Sequence, residues 1–138
     1  MSADDELRAK GREVMAKLWG ERAGKGGGPP GAQIAPEFFD LVTRFCFGGF
    51  WSRPGLDLRS RSLVTVAQLA ALGRTDELKA HLMGALRLGI SREELIEVLM
   101  QTSQYAGIPA AVSALNAAAA ILEKPAEAGA TRFRSEES

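Results

Sequence analysis

Leu7, Val14, Met15 and Leu18 recur at helical spacing between Asp4 and Trp19 and predict a first helix. The following stretch, residues 24–31, is glycine and proline with one lysine, a composition that predicts a flexible connector. Its glycines do not make a phosphate-binding loop, because no strand precedes them and no Gly-Lys-Ser/Thr ending follows. Pro36 suits the first turn of a second helix, with Phe38, Phe39, Leu41, Val42 and Phe45 as its apolar surface and Gly48–Gly49 as its stop. Phe50–Leu56 reads as a loop, since Pro54 disfavours a helical conformation at Arg53 and Gly55 permits a turn. Asp57 is a good N-cap for a third helix that runs to Leu72 and ends at Gly73. From Leu63 to Leu72 only Thr65 and Gln68 interrupt the apolar run, so this helix is expected to be central. Thr75 caps a fourth helix with Asp76 and Glu77 in its first turn, where the helix dipole favours acids, and Gly89 ends it. Ser91 and Glu94 form a capping box for a fifth helix to about Tyr105. After a break at Ala106–Pro109, Pro109 opens a sixth helix rich in alanine, whose small side chains let another helix approach closely. No segment shows the alternation of a strand. The pattern predicts an all-α single domain of about six helices over residues 1–122, with a loose polar tail at 123–138.

A chain of 138 residues buries roughly two-thirds of its unfolded surface on folding, enough to need neither disulfides nor a structural metal. Seventeen basic residues balance seventeen acidic ones, which argues against a nucleic-acid partner and makes self-association easier. Cys46 is the lone cysteine, so no intrachain disulfide forms. The acidic, polar N-terminus lacks a signal-peptide core and the apolar runs are too short to span a membrane, so the expected setting is cytoplasmic.

Two blocks carry a family pattern: Trp51–Thr65, with its Arg-Pro-Gly-Leu-Asp run, and Leu72–His81. The second continues through Ala85, Gly89, Glu94, Glu97 and Gln101 to Tyr105–Ala111. Together they resemble the carboxymuconolactone decarboxylase family over about Phe38 to Leu122. The resemblance implies the alkylhydroperoxidase D-like helical fold, assembled as homotrimers or homohexamers with sites near subunit contacts. The thiol branch of that superfamily carries a Cys-x-x-Cys pair before its histidine. Here those positions hold Arg74 and Glu77, and the upstream glutamate position holds Ser62, so disulfide-cycling peroxidase chemistry lacks its redox centre. Gly49, Met83 and Val112 stand where relatives often carry glutamate, arginine and asparagine. If these positions line the pocket, the substrate is less charged than a dicarboxylate lactone.

The reaction implied by the resemblance is loss of CO2 from a butenolide. The electron pair left behind flows through the ring double bond into the lactone carbonyl, and the resulting dienolate takes up a proton. The substrate is its own electron sink, so no cofactor is expected, and the sequence carries no signature of pyridoxal, thiamine or metal binding. The protein must orient the carboxylate, stabilise the oxyanion and deliver the proton. His81 is the single histidine and the candidate proton donor, with Glu77 one turn earlier placed to raise its basicity. The bland alternative is a hydrogen-bonded core histidine between Leu78 and Leu82. Arg53 and Arg61 are candidate carboxylate holders, Arg59 the more exposed of the neighbouring arginines. Trp51 is either a pocket wall or a buried anchor, and Tyr105 either a donor to the lactone oxygen or a helix-end packing residue. Glu94 is better read as a cap than a catalyst, and Cys46 as a small core side chain. The leading expectation is thus a cofactor-independent carboxy-lyase of aromatic-compound catabolism acting on a small molecule. Its rivals are a double-bond isomerase using the same dienolate and a non-catalytic oligomeric scaffold; only the lyase releases CO2.

Overall fold

A computed structural model describes residues 1–23 and 28–123. Within them the chain forms seven α-helices and one π-helical segment, with no strand. The all-α expectation holds. Helix α1 (Ala3–Trp19) starts at a capping box between Ser2 and Asp5. A short α2 (Gly31–Ile34) occupies the end of the expected connector, and α3 (Pro36–Leu41) begins with Pro36 in its first turn. The rest of that connector, residues 24–27, and the expected tail beyond Glu123 lie outside the described residues.

Helix α3 does not stop at Gly48–Gly49. It widens into a π segment (Val42–Trp51) that carries the chain two residues further. Gly48 there serves an approach, not a stop. A Cβ on Gly48 would sit 2.1 Å from the Leu7 carbonyl oxygen, and one on Gly11 would sit 2.1 Å from that of Thr43. Helix α1 and the π segment therefore cross backbone to backbone, which only glycine allows. Arg8 adds a polar tie, donating from Nε and Nη2 to Asp40 at 2.8 and 3.1 Å, while Arg44 donates to the same carboxylate at 2.8 Å. These two guanidinium groups hold the Asp40 carboxyl well below the usual carboxylate range.

The expected cap at Thr75 is corrected: Arg74 stands at that N-cap without a side-chain hydrogen bond, and Thr75 is the first helical residue. Helix α4 (Leu58–Leu72) begins where the Asp57 side chain accepts from the Ser60 N–H and ends at Gly73 in the left-handed region. Helix α5 (Thr75–Arg87) follows, then α6 (Arg92–Ala106) behind the Ser91–Glu94 capping box, then α7 (Ile108–Leu122) with Pro109 in its first turn. Helices α4 to α7 enclose one core, with Val66, Leu78, Leu82, Leu95, Leu99, Ala114 and Ala118 at its centre. A second, smaller core joins α1 to the π segment through Val14, Leu18, Phe47 and Trp51. Cys46 only packs at its edge.

One expectation is corrected here: α4 is not enclosed on all sides. Its stripe of Ser62, Val66 and Ala70 is buried, but Val64 and Leu72 face outward. With Leu63, Ala67 and Ala71 on one side and Val98, Thr102 and Tyr105 on the other, α4 and α6 bound an open, largely apolar groove of about 600 Å³. No helix among the described residues is long and apolar enough to cross a membrane.

Candidate active site at the seam of the two layers

Helix α5 turns Leu78, Leu82 and Ala85 into the larger core, which leaves His81 facing the α1–π layer. There the imidazole meets two aromatic side chains, which a third backs. Trp51, the last residue of the π segment, stacks on it with ring centroids 5.8 Å apart and planes at 20°. Trp19, the last residue of α1, meets it edge-on at 5.1 Å. Phe47 packs against both indoles, at 5.5 Å from Trp19 and 5.8 Å from Trp51. The Trp19 indole N–H donates to the Ala80 carbonyl at 2.8 Å, so the contact is tethered as well as packed.

These walls strip water from the imidazole, and burial pushes its pKa down from 6.5 to about 4; the charge of Glu77 opposes this but is the smaller effect. The expectation that Glu77 makes His81 more basic is thus half right. The carboxylate acts in the expected direction, but it is exposed, forms no hydrogen bond with the ring, and is outweighed by desolvation. At neutral pH the ring is uncharged. Among the described residues its Nδ1 is buried with no hydrogen-bond partner, a condition it shares with the Ser62 hydroxyl.

Trp51 touches both His81 and a pocket of about 330 Å³ between α1 and the loop that follows the π segment, although His81 itself does not line that pocket. Arg53, Lys10 and Lys17 line this pocket with Glu13 and Asp57, and Lys17 pairs with Glu13 at 3.5 Å, so the lining carries a small positive excess. That size fits a small acid, at the lower end for ligand sites. Arg61 does not join Arg53 there. It donates from Nε to the Leu56 carbonyl and from Nη2 to the Arg53 carbonyl, both at 3.0 Å, and so secures the loop that carries Arg53. Arg59 pairs with Glu94 across α4 and α6, and Glu94 also completes the cap of α6. Tyr105 is brought to neither His81 nor this pocket. Standing at the last turn of α6, it is 93% exposed and lines the α4–α6 groove. Gly49, Met83 and Val112 line neither the pocket nor the groove, and the last two are about half exposed. The condition for inferring a less charged substrate from them is not met within one chain.

Sequence reasoning missed Trp19, Phe47, Lys10 and Lys17. The two lysines stand seven residues apart on one face of α1, a spacing visible in the sequence. Nothing local marks Trp19 as a neighbour of residue 80. Among the described residues, no group of three or more His, Cys, Asp or Glu side chains is arranged to hold a metal ion.

The chain is 40% identical over 116 residues to 4-carboxymuconolactone decarboxylase of Acinetobacter baylyi (strain ATCC 33305 / BD413 / ADP1), covering 83% of this chain and 87% of that protein. It is 33% identical over 76 residues to nitrosuccinic acid decarboxylase of Metarhizium robertsii (strain ARSEF 23 / ATCC MYA-3075), covering 55% and 53%. An uncharacterised 15.0 kDa protein of Paracoccus denitrificans is 31% identical over 91 residues, covering 64% and 68%. The model of the carboxymuconolactone decarboxylase family matches residues 36–120, which include the π segment, the Arg-Pro-Gly-Leu-Asp loop and all of α5. The chain belongs to the carboxymuconolactone decarboxylase family.

Proposed function

We propose that this protein is a carboxy-lyase that needs no cofactor and acts on a small acid carrying its own electron sink, with a γ-carboxymuconolactone-type lactone as the leading substrate. The observation that carries this reading is the shared Trp51: one indole both stacks on the only imidazole and walls the pocket that Arg53 lines. The names of two relatives point to the same chemistry. In a carboxymuconolactone the departing electron pair enters a conjugated lactone carbonyl, and in a nitrosuccinic acid it enters a nitro group. Two dissimilar acids thus share a carboxylate on a carbon that feeds an acceptor.

Arg53 holds the substrate carboxylate in the pocket, with Lys10 and Lys17 supplying further positive charge. An anion held in the pocket, which Trp51 lines and His81 does not, favours the cation of the desolvated imidazole behind that indole, so substrate binding loads His81 with a proton that the free protein does not hold. The C–C bond to the carboxylate breaks, CO2 leaves, and the bonding pair becomes a dienolate. Protonation of its carbon by the imidazolium yields the product and restores the neutral ring. The chain is further proposed to work as a homotrimer or homohexamer, which the outward apolar residues Val64, Leu72 and Tyr105 support.

The test is CO2 release from freshly generated γ-carboxymuconolactone and from nitrosuccinate, with ultraviolet absorbance following the lactone. Wild type is expected to turn over at about one per second or faster on one of the two. His81→Ala is expected to lose about 100-fold or more, the usual share of a proton-transfer group. Lactone consumption without CO2 would replace the lyase with an isomerase, and no reaction with either acid would overturn the reading.

A further inference from the structure

We propose that Trp19, on a helix outside the segment matched by the family, is a positioning residue that holds His81 in its working orientation. The inference rests on the reading above, in which His81 moves the proton. A histidine in a site is ordinarily oriented by a hydrogen bond at its second nitrogen. His81 has none: Nδ1 is buried and unpartnered. Packing must therefore fix the ring. Trp51 offers it a face at 20° between planes, and Trp19 offers an edge at 71°. A face alone lets a ring slide or spin in its own plane; an edge set nearly across it blocks that movement.

Trp19 is itself held. Its N–H reaches the carbonyl of Ala80, the residue immediately before His81, so the tether acts on the stretch of backbone that aims the imidazole. Three features of the chain make this reach possible. Leu18, almost fully buried, anchors the end of α1. Gly20, at φ +97°, turns the chain away directly after the indole. Gly84 leaves room on α5, where a Cβ would lie 3.3 Å from the indole nitrogen and 3.2 Å from Leu18. Such contacts are tight enough to displace the indole by a few tenths of an ångström. Misplacing a catalytic group by about 1 Å can cost as much as 100-fold in rate, so this tether has rate to protect.

The protein's single histidine gives one imidazole signal, which nuclear magnetic resonance can titrate without any substrate. Trp19→Phe keeps a ring edge and removes the tether; Gly84→Ala keeps the tether's donor and crowds it. Both leave Glu77, the charge that acts on the ring, untouched. In each variant the imidazole midpoint is expected to rise from about 4 towards 6.5 as water gains access. On the turned-over acid, kcat is expected to fall about tenfold for Trp19→Phe, and less for Gly84→Ala, with KM within about twofold. A purely structural tryptophan would lower thermal stability and leave both the titration and kcat alone. If Trp19→Phe does not fold, Gly84→Ala decides. Folded variants with wild-type midpoint and kcat would falsify the proposal. Should wild type prove inert on both acids, the titration still judges Trp19 while the inertness counts against the lyase.

Discussion

A proton that His81 declines in the folded state is accepted by the same ring in the unfolded chain. The unfolded imidazole titrates near 6.5 and the folded one near 4, so between these values the unfolded state binds more protons. Stability from this residue is complete above pH 6.5 and drains away as pH falls towards 4. Denaturant unfolding of wild type and His81→Gln is therefore expected to give curves that separate across that interval, wild type losing more; parallel curves would mean the ring is not desolvated. The two arginines behave differently. Arg53 has no side-chain partner among the described residues and lines the pocket, so Arg53→Gln is expected to raise KM about tenfold or more, the worth of a hydrogen bond to a charge, with little change in melting temperature. Arg61 spends its donors on the loop, so Arg61→Gln is expected to cost about 1–2 kcal/mol of stability in thermal or urea unfolding, with any effect on KM following through Arg53.

At the scale of elements, the glycines of the π segment invite a sharp comparison. Gly48→Ala drives a methyl into the Leu7 carbonyl and is expected to destabilise by about 3 kcal/mol, at the upper end for overpacking, because both obstacles are backbone. At Gly49 the nearest atom to an added methyl is 3.6 Å away, so Gly49→Ala is expected to be neutral or to stabilise by up to about 1 kcal/mol. Equal effects in urea denaturation would sink the backbone crossing. The same region marks where sequence ceases to be informative. Starts and stops that depend on a local side chain or a glycine conformation, such as Asp57, Gly73 and the Ser91–Glu94 box, were legible. The widening of α3 has no side-chain signature, and two adjacent glycines read as a stop because the true constraint on Gly48, the Leu7 carbonyl of α1, lies more than thirty residues away in sequence. His81, Trp51 and Arg53 could be singled out from the sequence because their motif is contiguous or nearly so. Trp19 was not, since its bond to Ala80 spans 61 positions. Tyr105 sat in the motif yet faces another surface, because a motif records which residues matter and not which cleft they enter.

For the whole molecule, the groove between α4 and α6 predicts association. Val64 lines it and is 45% exposed, so Val64→Glu suits the isolated chain but not a covered one. Sedimentation equilibrium is expected to give wild type a multiple of the chain mass and Val64→Glu the mass of one chain, with unchanged helicity; a wild-type monomer would refute the assembly. The two cores also differ in strength. Eleven buried residues hold α4 to α7 together, whereas four hold α1 to the π segment. Regions with fewer buried apolar contacts open at lower free energy, and amide hydrogens in α1 should exchange sooner than those in α6. Both tryptophans of the chain stand on the weaker side of the seam, facing the histidine across it. Their fluorescence reports the N-terminal layer, while far-ultraviolet circular dichroism reports mostly the bundle. In rising urea the fluorescence change and the loss of turnover should coincide, ahead of the loss of helicity. The enzyme would then have a reversible resting form, intact in most of its helices and already inactive.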